Sequence, residues 1–146
     1  KAVRRVSIMT KLNKVFSQGP AFMAIGYVPM LAMYHVEIIE KDFFYNVLAG
    51  ELPEYKLLAN MIEADTIDIV DFTDDLCLIV DDEGLLKSGN LVYEIQLDGT
   101  THQIAGRFAF GRNEFCEHKG LMTVPLQPAD FVDLAQLDIK IIGKVR

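Results

Sequence analysis

Tryptophan is absent from the 146 residues, cysteine occurs only twice, and serine only at Ser7, Ser17 and Ser88. Each scarcity excludes something. Cys77 and Cys116 cannot build a disulfide framework or a four-cysteine zinc site. So few serines leave a hydrolase triad little material. No apolar run approaches the ~20 residues that a membrane-spanning helix needs. The G-x-x-x-x-G-K-[ST], G-x-S-x-G and H-E-x-x-H patterns are missing. Gly106 and Gly111 have phosphate-loop spacing, but Arg112-Asn113 follows them where a Lys-Ser or Lys-Thr pair is required. The βαβ alternation of a dinucleotide fold, repeats and low-complexity tracts are also lacking.

Charge of one sign is missing from two stretches. Residues 1–36 hold Lys1, Arg4, Arg5, Lys11 and Lys14 and no acid, a charge of +5. The remainder holds nine basic and 21 acidic residues, a charge of −12. Between Lys56 and Lys87 there is no Lys or Arg, while nine acids crowd into Glu63–Glu83. A conventional nucleic-acid interface is disfavoured, because phosphate neutralisation needs clustered cations. The asymmetry reads as a basic extension, residues 1–32, on one acidic domain, residues 33–146. Ile8, Met9, Leu12, Val15 and Phe16 have helical spacing, which predicts an N-terminal helical arm stopped at Ser17–Pro20. The extension bears only a loose likeness to a targeting segment, because its basic part is long and Gly26 and Pro29 interrupt its apolar part.

Composition is that of an ordinary folded domain, with 51% apolar and 24% charged residues. Alternation predicts strands over residues 34–40, 43–48, 66–71, 76–80 and 91–97, a returning strand over 101–110, and short strands at 121–124 and 139–142. Pro53 opens a short amphipathic helix, 53–62, on Tyr55, Leu58, Met61 and Ile62. Asp98-Gly99 is a two-residue hairpin turn. Gly84 is read as supplying a left-handed turn, Gly106 as a bulge or close approach, 111–120 as a polar loop, and Asp130 as the cap of one helical turn. The expected fold is α+β: an antiparallel or mixed sheet of six to eight short strands, one or two short helices, and the arm.

Site chemistry is thin. Cys116 and His118 form C-x-H, two ligands where zinc wants three or four. Asp81-Asp82-Glu83-Gly84 lacks the spacing of a calcium loop and reads as a turn. No catalytic residue, metal or cofactor is assigned. Material for a small-ligand site or an enzyme lies in His102, Arg112, Cys116 and His118.

Residues 34–146 resemble a family of short phage, plasmid and gut-bacterial mobile-element proteins, a domain of unknown function. The matching stretches are Val36–Glu40, Tyr55–Leu58, Ile67–Val70 and Leu78-Ile79-Val80-Asp81-Asp82-Glu83-Gly84, followed by Asn90 and Ile104-Ala105-Gly106. Residues 1–32 have no counterpart in that layout, and a strand pattern at Ile139–Ile142 stands where it has a short helix. The resemblance implies a small accessory protein in the bacterial cytoplasm and carries no reaction. A groove between the acidic turn and Gly106 is one functional reading of the shared motif.

These readings converge on a non-enzymatic module that binds a basic protein partner, with host defence components as candidates. The expected partner-facing residues are Asp68, Asp71, Asp74, Asp75, Asp81, Asp82 and Glu83. Alternation sets Ile67, Ile69 and Phe72 on one side, and Asp68, Thr66 and Val70 on the other. A self-assembling protein whose arm docks on a second copy is the third reading.

Overall fold

Pairing, rather than helical periodicity, organises this chain. The computed structural model describes residues 3–8, 12–40, 54–118 and 120–146. Among them are ten strands and two α-helices. In chain order they are β1 (Val3–Ile8), β2 (Ala21–Val28), β3 (Met33–Glu40), α1 (Glu54–Met61), β4 (Ile67–Asp71), β5 (Leu76–Asp81), β6 (Leu91–Leu97), β7 (Thr100–Ala105), β8 (Phe108–Cys116), β9 (Gly120–Val124), α2 (Pro128–Leu134) and β10 (Asp138–Lys144). The strand expected at 43–48 lies outside the described residues.

A large antiparallel sheet runs β1-β3-β2-β8-β5-β4, with β9 paired to the far end of β8. A small sheet runs β10-β6-β7. The two sheets enclose the main core, in which Ile25, Leu78, Phe108 and Phe110 meet Tyr93, Ile95, Leu97 and Ile139. The large sheet's other face carries Phe22, Ala24, Ile39, Ile79 and Ala109, covered by Leu57, Leu58, Met61 and Ile62 from α1 and its end. Residues 21–25 are therefore buried on both faces, which is why Ala-Phe-Met-Ala-Ile is continuously apolar instead of alternating.

The described chain is thus predominantly β, and the expected N-terminal helical arm does not occur among the described residues. Val3–Ile8 extends along β3 in register Val3↔Ile39 to Ile8↔Tyr34. Helical spacing misled because Leu12 and Val15 enter the core from a turn, not from a helix face. β2 lies between β3 and β8, so the expected domain boundary at Met33 falls inside a sheet.

Three further readings change. The single return strand 101–110 is two: β7 pairs with β6 in the small sheet, and β8 enters the large one. Gly106 turns this corner at φ +89°, a left-handed value that favours glycine. Residues 111–120 are not a loop, because β8 runs on to pair with β9. Asp130 sits inside α2, where its carboxylate accepts the Gln127 N–H at 2.8 Å as half of a capping box. The hairpin at Asp98-Gly99 forms as expected, with φ +49° and +80° and Leu97 opposite Thr100.

The shared motif has a packing explanation. A Cβ on Gly84 would stand 2.3 Å from the Ala105 carbonyl oxygen, so Gly84 is needed for close approach and not for a left-handed turn. The Asn90 Nδ2 donates to the Gly84 carbonyl at 2.9 Å and packs against Gly106. Gly84, Asn90 and Gly106 thereby fasten the turn after β5 to the corner between sheets.

Candidate functional site

The acidic stretch folds into the hairpin β4–β5 at one margin of the large sheet. Its register, Ile67↔Asp81 to Asp71↔Cys77, sets the expected site residues at opposite ends. Asp71, Asp74 and Asp75 lie at the hairpin tip, and Asp81, Asp82 and Glu83 at the other end, with Asp68 between. Five residues at ~3.3 Å each make this a band of roughly 15 Å.

The seven residues are not equivalent. Asp81 is taken internally: it accepts from Lys87 Nζ at 2.5 Å and from the Glu83 N–H at 2.9 Å, and its side chain is only 5% exposed. The hydrogen bond to Asp81 raises the Lys87 pKa. Asp81 therefore builds the turn instead of meeting a partner. Asp68 Oδ1 accepts the Ile69 N–H at 2.9 Å, and Asp75 stands 4.0 Å from Arg112. Asp68, Asp71, Asp74, Asp75, Asp82 and Glu83 are exposed. Phe72 packs in the main core with Val70, so it does not side with Ile67 and Ile69 as expected.

Each end of the band opens on a cleft. At the tip, Asp71, Asp74 and Asp75 face Asp98 and Asp133 around about 650 Å³. At the other end, a groove of about 420 Å³ runs between the two sheets. Val70, Leu78, Val80 and Ile104 line it, and Asp81 and Asp82 rim it. Leu85 and Leu86 stand beside it, 74% and 79% exposed. Leu86 closes the D-D-E-G-x-L run of the family resemblance, but nothing in the sequence marked either leucine as a binding residue. Among the described residues β7 pairs only with β6.

Of the alternative residues, the side chain of Cys116 lies outside the described part, and the others have the following contacts. The His102 ring meets Phe72 edge-on at 5.5 Å. Arg112 donates to buried Asp130 at 2.6 Å, and His118 lies in the β8–β9 turn. No described contact joins these residues. Burial raises the Cys77 pKa, keeping it an unreactive thiol. Among the described residues no group of three or more His, Cys, Asp or Glu could hold a metal, and no helix is long and apolar enough to cross a membrane.

Three tyrosines close the far side of the core. Tyr34 lies edge-on to Tyr27 at 5.2 Å and 6.3 Å from Tyr93, whose Oη accepts the Tyr27 N–H at 2.9 Å. Desolvation raises the pKa of both Tyr34 and Tyr93. A folded-state pKa above the unfolded one stabilises fully below the unfolded value and is lost as pH rises through the folded value. Urea midpoints are therefore expected to fall above about pH 10, the ordinary tyrosine range. Tyr34→Phe should flatten that fall, and an unchanged alkaline slope in this variant would refute the assignment.

Comparison with protein-family models, curated proteins and solved structures finds no match to this chain.

Proposed function

We infer that the chain is a protein-binding module whose β4–β5 margin takes an extended basic segment of a partner. One observation carries this reading: an apolar groove with exposed leucines at its mouth and carboxylates on its rim runs beside β7, which pairs only with β6 among the described residues. The β7 edge offers backbone hydrogen bonds to an added strand, and the groove takes alternate side chains. Carboxylates at this density select lysine and arginine on the incoming chain and steer it at low salt. They also disfavour a second copy, which would bring the same acidic margin against itself. The mobile-element setting, the cytoplasmic location and a host defence partner rest on the motif layout and extend this proposal.

The test uses two short labelled peptides, one alternating Lys with Val and one alternating Glu with Val, in fluorescence anisotropy with the full chain. The Lys–Val peptide is expected to bind, and to lose roughly tenfold in affinity at high salt or with Asp68→Asn, Asp82→Asn and Glu83→Gln combined. Leu85→Ser with Leu86→Ser should weaken it at every salt concentration. Equal binding of both peptides, or binding indifferent to these changes, overturns the reading.

A further inference from the structure

β2 and β8 pair only over Met23–Ile25 and Phe108–Phe110. Beyond Ile25 the two strands part, and the Tyr27 N–H goes to Tyr93 instead of to β8. A cleft of about 520 Å³ opens there, on the α1 side of the large sheet. That volume suits a small organic ligand. Its floor is set by register, with Arg5 opposite Glu37 and Gly26 opposite His35.

Arg107 enters from the corner at Gly106. Its Nε–H donates to the Met61 carbonyl at 2.7 Å, at the C-terminal end of α1. That bond orients the guanidinium and leaves its terminal nitrogens over Gly26, where a Cβ would stand 2.9 Å from one of them. Gly26 has no left-handed φ, so its lack of a side chain serves the seat of Arg107 and not the backbone. Among the described residues the terminal nitrogens make no hydrogen bond and no ion pair. Burial lowers the Arg107 pKa, and Glu37 and Glu63 act in the opposite sense. His35, cross-strand from Gly26, has a buried Nε2 without a hydrogen-bond partner among the described residues. A half-buried guanidinium edge with no protein partner among the described residues and a buried, partnerless imidazole nitrogen thus line one cleft, and a buried polar group left unpaired is costly.

We propose that this cleft is a binding site for a small monocarboxylate, held by the terminal edge of Arg107 with His35 beside it. A guanidinium presents two parallel N–H donors that match the two oxygens of a carboxylate. Arg5 is ion-paired with Glu37 through Nε at 3.0 Å, so its charge is already balanced, whereas Arg107 brings one unbalanced positive charge to the cleft and a singly charged ligand matches it. A phosphate dianion would sit near Glu37 and Glu63 with no second cation in the cleft, among the described residues, whose charge is not already paired. Val28, Met61 and Leu91 take the ligand's apolar end.

The experiment is a titration of the full chain with acetate, butyrate, benzoate and inorganic phosphate, following the Arg107 Nε–H and His35 ring resonances by NMR. Butyrate or benzoate should shift both sets saturably, and phosphate should not. Arg107→Lys and Gly26→Ala should each weaken binding at least tenfold. The second keeps every charge and displaces only the guanidinium, and the backbone spectrum of each variant checks its fold. A short peptide that binds with a free C-terminus, and fails when amidated, would support the same carboxylate chemistry from a chain end. Phosphate binding in preference to every carboxylate, no shift with any ligand, or undiminished binding by a folded variant overturns the proposal.

Discussion

A chain lacking residues 1–32 is expected to be molten or insoluble, with no cooperative urea transition and a featureless near-ultraviolet spectrum. The truncation removes β1 and β2, and β2 is the strand that joins β3 to β8. Phe22, Met23 and Ile25 are completely buried. Burying each such side chain contributes ~1.5–3 kcal/mol, so these three alone account for roughly 5–9 kcal/mol. A whole domain is stable by only about 5–15 kcal/mol. The sequence reading expects the opposite, a core that folds without its basic extension. The charge break behind that expectation is a pairing and not a boundary, since basic β1 lies against β3 and Arg5 bonds Glu37 at 3.0 Å. A dispersed amide spectrum from the truncated chain would restore the boundary at Met33.

Phe108→Ala should cost ~3–5 kcal/mol, read from a lower urea midpoint at unchanged slope. Phe108 is fully buried where the sheets meet, 5.5 Å from Tyr93 of the small sheet and 5.7 Å from Phe110 beside it. Two strands of the large sheet pair along its segment, so the cavity has little freedom to collapse. Phe115, on the same strand but 72% exposed near its end, is the control. Phe115→Ala should lie within about 0.5 kcal/mol of the parent. A loss under about 1 kcal/mol for Phe108→Ala would mean that the sheets are not held together through this ring.

Local patterns were readable where one face meets water. β3, β6 and the Asp98-Gly99 turn follow from period-two alternation and turn chemistry, and α1 follows from its apolar spacing. What failed is non-local. Whether Thr101–Phe110 is one strand or two depends on which sheet receives each half, and Gly106 signals only that something happens there. Residues 21–25 look like the apolar part of a leader because both faces are covered, a fact that belongs to distant segments. The strands expected over 66–71 and 76–80 form, but the inward turn of Asp81 depends on Lys87 closing over it. Arg107 was overlooked, although a lone charge inside Ile104–Phe110, otherwise Ala, Gly and aromatic, was a signal that could have found it.

The join between β2 and β8 also has a consequence in time. Met23 is paired with Phe110, and some 87 residues separate them. At about 5–20 residues per second, a ribosome needs roughly 4–17 s to make that interval. Until it is complete the β2–β3 hairpin carries one margin of unmatched backbone beside Met23, with β8 unfinished and the small sheet still lacking β10. The strand that ends as the best-protected part of the molecule is therefore, during synthesis, the part longest open to pairing with something else.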